Sequence, residues 1–138
     1  MVTSSGDDLA VVTDLLWNRI VYASQKGNWV KSYGDNPGDA YLYMPRSVSL
    51  DQFGNILVLA GRPTRITQLK YNESSGSISF VGNIPISGVQ QAVDICFDDN
   101  FTPSVQGDDS FWLADMLGNA VYHFDLSGHK QFYSTEDR

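Results

Sequence analysis

Residues 111–125, FWLADMLGNAVYHFD, decide the fold of this 138-residue chain. An apolar run closes on an acid, a tight Gly-Asn turn follows, and a second run alternates between apolar and polar residues. That order predicts two antiparallel strands joined by a turn. Residues 9–22 and 56–71 follow the same plan, so the chain is built from repeats.

The three copies align on the turn that precedes their third strand. The aligned tripeptides are Asn18-Arg19-Ile20, Thr64-Arg65-Ile66 and Asn119-Ala120-Val121. They lie 46 and 55 residues apart, and a polar insertion at residues 98–109 accounts for the longer spacing. A period of roughly 40–50 residues with four short strands is typical of a β-propeller blade. We therefore predict an all-β fold made of propeller blades with four antiparallel strands each.

About three such blades fit into one partial propeller domain that covers residues 1–138. Their approximate bounds are residues 1–34, 35–86 and 87–138. The first blade is expected to be incomplete, because Met1–Ser4 is too short for an inner strand. A single β-sandwich would not need three copies of one plan, and no apolar stripe at helical spacing survives the glycines and prolines.

The second strand of each copy is almost continuously apolar: LAVVT, ILVLA and FWLA. A strand that is covered on both faces by neighbouring blades is expected to have this character. Trp112 is accordingly expected in the core between blades. Cys96, the one cysteine, lies in the run AVDICF and is interpreted as a small buried hydrophobe.

Composition disfavours two classes of partner. Sixteen acidic and nine basic residues give a formal net charge of -7, and no run of Lys or Arg reaches three. Nucleic acid and anionic membrane surfaces both require clustered positive charge, so neither is expected as a partner. No stretch approaches the roughly 18 apolar residues of a membrane span, and the N-terminus lacks the pattern of a signal peptide. The compartment stays open.

In this register the motifs resemble NHL repeats, in which a strand ends in Asp, a Gly-Asn turn follows, and Asn-Arg-Ile opens a later strand. SLDQFGNILVLAGRPTRITQL, FWLADMLGNAVYHFDLSG and TDLLWNRIVYASQKGNWV carry parts of that pattern. Ala60 and Ala120 depart from it, since they replace the strand-end acid and the arginine. The resemblance implies a propeller of around six blades and says little about function, because the repeat is a packing unit.

Three blades do not close a ring, and exposed apolar faces and free strand edges favour association. We therefore expect a homodimer that closes one ring of about six blades. The strand Gln131–Thr135 or the segment Met1–Ser4 would complete a blade across the junction. The alternatives are that the chain is half of a longer protein, or that it forms an assembly of another stoichiometry.

Several acids are candidates for chemistry. Asp14 and Asp115 end second strands, where a carboxylate can accept loop N–H bonds or, in a closed ring, contribute to a calcium site. Asp51 and Asp98 are interpreted as turn caps. Asp94, on an innermost strand that would line the channel, is a weak candidate for a metal ligand.

No catalytic constellation is visible. His123 and His129 are interpreted as ordinary polar groups, and neither a nucleophile turn nor a zinc-protease motif is present. No cofactor is therefore expected, apart from a divalent cation such as calcium.

Candidate partner contacts lie in or beside turns, where a rigid propeller presents its binding residues. They are Arg19, Arg65, Trp17, Tyr41, Tyr43 and Phe53. The leading hypothesis is a non-enzymatic binding or scaffold module that takes a protein or carbohydrate partner on its loop face. The alternative is a metal-dependent propeller hydrolase or lyase, similar to lactonases or to the amidating lyase, with a metal in the channel.

Overall fold

The computed structural model describes residues 8–24, 26–99 and 109–135. Within these ranges the chain forms eleven strands and one three-residue 3-10 turn, Leu15–Trp17. The strands are β1 (Leu9–Asp14), β2 (Arg19–Ser24), β3 (Val30–Tyr33), β4 (Ser47–Leu50), β5 (Asn55–Ala60), β6 (Arg65–Asn72), β7 (Ser77–Ile84), β8 (Ala92–Asp98), β9 (Ser110–Asp115), β10 (Ala120–Asp125) and β11 (Lys130–Thr135). No helix in the described ranges has the length and apolar character needed to cross a membrane.

The strands form three antiparallel sheets in which sequence neighbours pair. Sheet 1 has the order β1-β2-β3, sheet 2 the order β4-β5-β6-β7, and sheet 3 contains β8 to β11 in the same consecutive order. This confirms the predicted all-β fold of antiparallel blades, with three strands in the first sheet and four in each of the others. β11 pairs with β10 and is the outermost strand of sheet 3, so Gln131–Thr135 lies in the sheet of its own blade. Met1–Ser4 lies outside the described residues.

Sheet 2 is packed between the other two sheets. The side chains of a strand point alternately to its two faces, and β5 is buried on both: Ile56 and Val58 join the cluster shared with sheet 1, whereas Leu57 and Leu59 join the cluster shared with sheet 3. All four side chains are fully buried. The continuous apolar run ILVLA is therefore explained by inter-sheet packing on both sides, as the sequence predicted.

The end sheets are packed on one face each. In the repeat register Val12 of sheet 1 corresponds to Val58, yet Val12 is 57% exposed and Val58 is 0% exposed. At the other end, Val121 of sheet 3 corresponds to Ile66, and their exposed fractions are 44% and 0%. The exposed fraction thus differs between equivalent positions. A neighbouring sheet covers the residue of sheet 2 in each pair, whereas none of the described residues covers its equivalent in sheet 1 or sheet 3.

The same difference corrects two predictions. Trp112 is half-buried and lies on the uncovered face of sheet 3, because Phe111 and Leu113 take the face that packs against sheet 2. Its ring stacks on His123 at a centroid distance of 4.2 Å. Cys96, the register partner of Trp112 on β8, is exposed rather than buried. Within a single chain, neither side chain therefore lies in the core, contrary to the expectation.

Serine side chains join sheets 2 and 3 along their inner edges. The backbone N–H of Ile95 on β8 donates to Ser47 Oγ at 3.3 Å, and that of Phe97 donates to Ser49 Oγ at 3.0 Å. The edge strand β8 thereby has two of its N–H groups satisfied by β4 although the two strands belong to different sheets. These two hydrogen bonds fix the position of sheet 3 relative to sheet 2 along their first strands.

Candidate functional site

The turns of this fold divide between two faces of the arc. We call upper the face that carries the turns at residues 15–18, 61–64 and 116–119, which follow the second strands, and the inter-sheet connections at 34–46 and 85–91. The remaining turns form the lower face. Five of the six predicted contact residues lie on the upper face, and Phe53 lies on the lower face because it precedes β5 rather than following it.

A groove of about 510 Å³ opens on the upper face beside sheet 2. Tyr41, Tyr43, Ala60, Gly61, Arg62, Pro63, Thr64, Arg65, Thr67, Asn83, Ile84, Pro85 and Ile86 line it. The structure thus brings together three of the predicted contact residues, Tyr41, Tyr43 and Arg65. It adds Arg62, which the sequence reasoning passed over because no other copy has an arginine at that turn position.

The two tyrosines form a stacked pair on the rim of the groove. Their ring centroids are 6.2 Å apart, with Tyr41 63% exposed and Tyr43 45% exposed. Leu42 between them is fully buried and joins the core between sheets 1 and 2. A buried anchor between two outward rings holds both aromatic faces at the surface, where aromatic side chains make effective contacts with partners.

One cross-strand position decides which charges on this face are paired. The last residue of each second strand lies opposite the first residue of the next strand, giving the pairs Asp14–Arg19, Ala60–Arg65 and Asp115–Ala120. Sheet 1 has both the acid and the base, sheet 2 has the base alone, and sheet 3 has the acid alone. The two alanines that depart from the repeat pattern therefore alter charge pairing in two neighbouring blades.

In sheet 1 the arginine is held by its own blade. Arg19 Nε lies 2.9 Å from Asp14 Oδ2, and Arg19 Nη1 lies 3.0 Å from Asp35 Oδ2. The hydrogen bonds to Asp14 and then to Asp35 raise the pKa of Arg19 above its ordinary value. Asp14 was expected to accept backbone N–H bonds, but it makes no such cap and pairs with Arg19 instead.

In sheet 3 the acid anchors loops, as predicted for Asp115. Its carboxylate accepts the backbone N–H groups of Gln90 at 2.8 Å, Gln91 at 2.9 Å and Gly118 at 3.1 Å. Burial opposes its ionisation, but these bonds together with one from Leu117 outweigh burial and hold the pKa of Asp115 below its ordinary value. Asp115 therefore fixes the connection from sheet 2 and is not placed for chemistry.

In sheet 2 the arginine has no acid opposite it. Arg65 is exposed, and within the described ranges it forms neither an ion pair nor a side-chain hydrogen bond. Arg62 is also exposed, and it lines the same groove. Both guanidinium groups are therefore available to a ligand, which distinguishes Arg65 from Arg19 despite their equivalent positions in the repeat.

A third arginine lies beneath this turn. Arg46 Nη1 donates to the Gly61 carbonyl at 2.9 Å and Nε donates to the Ala92 carbonyl at 3.1 Å, while buried Nη2 makes no hydrogen bond with the described residues. Burial, and then the positive charge of Arg62, lowers the pKa of Arg46. The turn at residues 61–65 thus concentrates positive charge in a chain whose net charge is -7.

The lower face has a second cavity, of about 430 Å³, which contains Phe53 together with Leu50, Phe97 and Trp112. Asp51 caps the adjoining turn by accepting the N–H groups of Phe53 and Asn55, as predicted. Phe53 is consequently separated from the other predicted contact residues by the height of the sheet.

Asp98, which lines this cavity, lies close to a serine and a histidine, but the three residues do not form a catalytic triad. Ser110 Oγ is 2.6 Å from His123 Nε2, and Asp98 Oδ2 is 3.7 Å from the same nitrogen. A proton relay requires the acid and the nucleophile on opposite ring nitrogens. Asp98 also accepts a hydrogen bond from Trp112 Nε1 at 3.0 Å.

Asp94 is engaged in hydrogen bonds with neighbouring groups of its own chain. Its Oδ1 accepts hydrogen bonds from Ser47 Oγ at 2.8 Å and from the N–H of Ile95 at 2.9 Å. Across the part of the chain that the structure describes, no group of three or more His, Cys, Asp or Glu side chains could hold a metal ion. Calcium takes six to eight oxygen ligands, more than the Asp94 carboxylate and Ser47 Oγ supply among the described residues.

Solved structures share this fold. A catalytically inactive histidine-to-alanine variant of virginiamycin B lyase from Staphylococcus aureus, in complex with quinupristin, matches 100% of this chain at 17% identity with a TM-score of 0.65. A streptogramin B lyase matches 99% of the chain at 19% identity with a TM-score of 0.60. The chain spans 40% and 39% of the lengths of these proteins. No protein-family model and no curated protein matches the sequence.

Proposed function

We propose that this chain is a non-enzymatic binding module of NHL-like propeller type, which closes a ring with a second copy and binds a partner on its upper face. The single observation that carries the proposal is the difference between the sheets: among the residues that the structure describes, sheet 2 is covered on both faces, whereas sheets 1 and 3 each leave one apolar face bare. Bare apolar faces of this kind favour association. The NHL-like assignment is supported by the strand-end acids and the Asn-Arg-Ile opening of β2.

A second copy fits these bare faces because, within one chain, equivalent faces of neighbouring sheets already pack against each other. Leu57, Leu59 and Ile66 of sheet 2 pack against sheet 3. Their register equivalents on the bare face of sheet 3 are Trp112, Ala114 and Val121.

The residues on the other side of such a junction also have equivalents on a bare face. Ile56 and Val58 of sheet 2 pack against sheet 1. Their equivalents on the bare face of sheet 1 are Ala10 and Val12. The bare face of sheet 3 in one copy can therefore pack on the bare face of sheet 1 in the next, and two such head-to-tail contacts close a ring of about six blades.

The mass of the particle in solution tests this arrangement. Light scattering after size exclusion, and native mass spectrometry at micromolar concentration, should give twice the 15.3 kDa chain mass. Val121→Lys places a charge in the junction and should reduce the mass to that of one chain. Lys31→Gln, a change on the face of sheet 1 that already contacts sheet 2, serves as the control and should leave the pair intact.

A wild-type chain that is folded and monodisperse at the single-chain mass would overturn the paired ring. So would a Val121→Lys variant that keeps the doubled mass, because the charge could not be buried in a junction of this kind. Circular dichroism of the variant separates loss of association from loss of folding.

A further inference from the structure

We propose that the upper-face groove binds a carboxylate of an acidic peptide segment, held between Arg62 and Arg65. This proposal rests on the part of the proposed function that places partner binding on the upper face. It does not require the ring, because every residue that lines the groove belongs to one chain.

The first reason is that the positive charge of Arg65 has no acid opposite it in its own sheet. Asp14 neutralises the arginine of sheet 1, but Ala60 occupies the equivalent position opposite Arg65. An arginine that is exposed beside a groove and has no acid opposite it can donate two parallel N–H bonds to a carboxylate. Arg62, on the same turn, supplies a second guanidinium group.

The surroundings strengthen that charge and fix its position. Arg46 is held beneath the turn by the carbonyl groups of Gly61 and Ala92, so its positive charge cannot move away from the groove. The side chain of Thr64 accepts the N–H of Ala92 at 3.2 Å, which ties the turn to sheet 3. A site built on such a rigid turn needs little ordering when a ligand binds.

The neighbouring turns favour a peptide over a carbohydrate. Leu16 is 87% exposed and Trp17 is 71% exposed on one side of the groove, while Met116 and Leu117 are 55% and 58% exposed on the other. Aliphatic side chains of a peptide can pack against such residues, whereas the hydroxyl groups of a sugar would be desolvated there without hydrogen-bond partners.

Hydrogen bonds hold both turns at the groove. The N–H of Met44 donates to Asn18 Oδ1 at 2.9 Å, and the N–H of Met116 donates to the Gln91 carbonyl at 2.9 Å. The upper face therefore presents a cationic centre with apolar residues on both sides. The matching ligand has a carboxylate flanked by apolar side chains.

Fluorescence anisotropy with a short labelled peptide tests the assignment. The peptide carries two adjacent glutamates flanked by leucines, and its control has glutamines in their place. At about 50 mM salt, where screening is weak, the glutamate peptide should bind roughly tenfold more tightly than the control. Raising the salt concentration should reduce this difference.

Two variants locate the site. Arg65→Gln should weaken binding of the glutamate peptide roughly tenfold and leave the glutamine peptide unchanged. Lys26→Gln makes the same change in net charge in a lower-face turn and should have no effect. Equal binding of the two peptides, or unchanged binding by Arg65→Gln, would overturn the proposal.

An oligosaccharide of uronic acids, titrated in the same way, separates the two partner classes. Tighter binding of the uronate than of the glutamate peptide would overturn the peptide assignment. Light scattering of the same samples measures the particle mass, and so shows independently whether two chains associate. The Val121→Lys chain should still bind the peptide, so loss of binding in that variant with its fold intact would count against a groove formed by one chain.

Discussion

Replacing Asp115 by asparagine should destabilise the fold strongly, because the carboxylate joins sheet 3 to the connection from sheet 2. Oδ2 accepts the N–H of Gln90, and Oδ1 accepts those of Gln91 and Gly118. Asparagine can keep one oxygen in place but sets an amide N–H against a backbone donor. A hydrogen bond to a charged group contributes about 1.5–3 kcal/mol, so we expect a loss of about 3 kcal/mol in the free energy of unfolding.

Urea denaturation followed by tryptophan fluorescence at fixed protein concentration measures this loss, which corresponds to a fall in Tm of roughly 10 °C. Asp14→Asn is the matched control. Asp14 ends the equivalent strand but pairs with Arg19 near the surface, where ion pairs contribute under about 1 kcal/mol. A loss below about 1 kcal/mol for Asp115→Asn, or equal losses for both variants, would refute the role assigned to Asp115.

The pH dependence supplies an independent check. Because the backbone N–H groups hold the folded pKa of Asp115 below its ordinary value, the ionised carboxylate stabilises the folded state above the unfolded pKa of about 3.9. That contribution is lost as the pH falls through the folded pKa. The stability difference between the wild type and Asp115→Asn should be constant above about pH 5 and shrink below about pH 4.

Three further outcomes follow from the geometry. Gly128→Ala should cost about 2 kcal/mol more than Gly38→Ala. Both glycines have φ of +88°, but a Cβ on Gly128 would overlap the Pro85 carbonyl, whereas one on Gly38 meets open space; thermal denaturation of the two variants measures the difference. Ser49→Ala should cost about 1 kcal/mol by leaving the N–H of Phe97 without its partner, and a stability unchanged in urea would contradict the inter-sheet role of the serine. Asp94→Ala should leave the bound-metal content unchanged when elemental analysis is compared with the wild type; a divalent ion that is retained by the wild type and lost in the variant would favour the hydrolase or lyase alternative.

Sequence reasoning located most of the blade structure because its signals are local. Alternation of apolar residues and turn-forming pairs such as Gly-Asn depend on a few neighbouring residues, and the repeats supply the same signals three times. The second strands, the strand-end position of Asp115 and the turn cap at Asp51 were all predicted on this basis. The proximity of Tyr41, Tyr43 and Arg65 was harder to predict from the sequence, since it depends on the path of the connection between sheets 1 and 2.

The repeat pattern by itself determined that this chain forms antiparallel blades, and the tertiary structure decided which equivalent residues behave differently. Arg19 and Arg65 share a position in the repeat, but Asp14 and Asp35 hold the first while Ala60 lies opposite the second. Residues 111–125 show the same division. Their alternation predicts two paired strands, but whether Trp112 is buried depends on a sheet packing over it, and burial is a property of neighbouring segments that are distant in sequence.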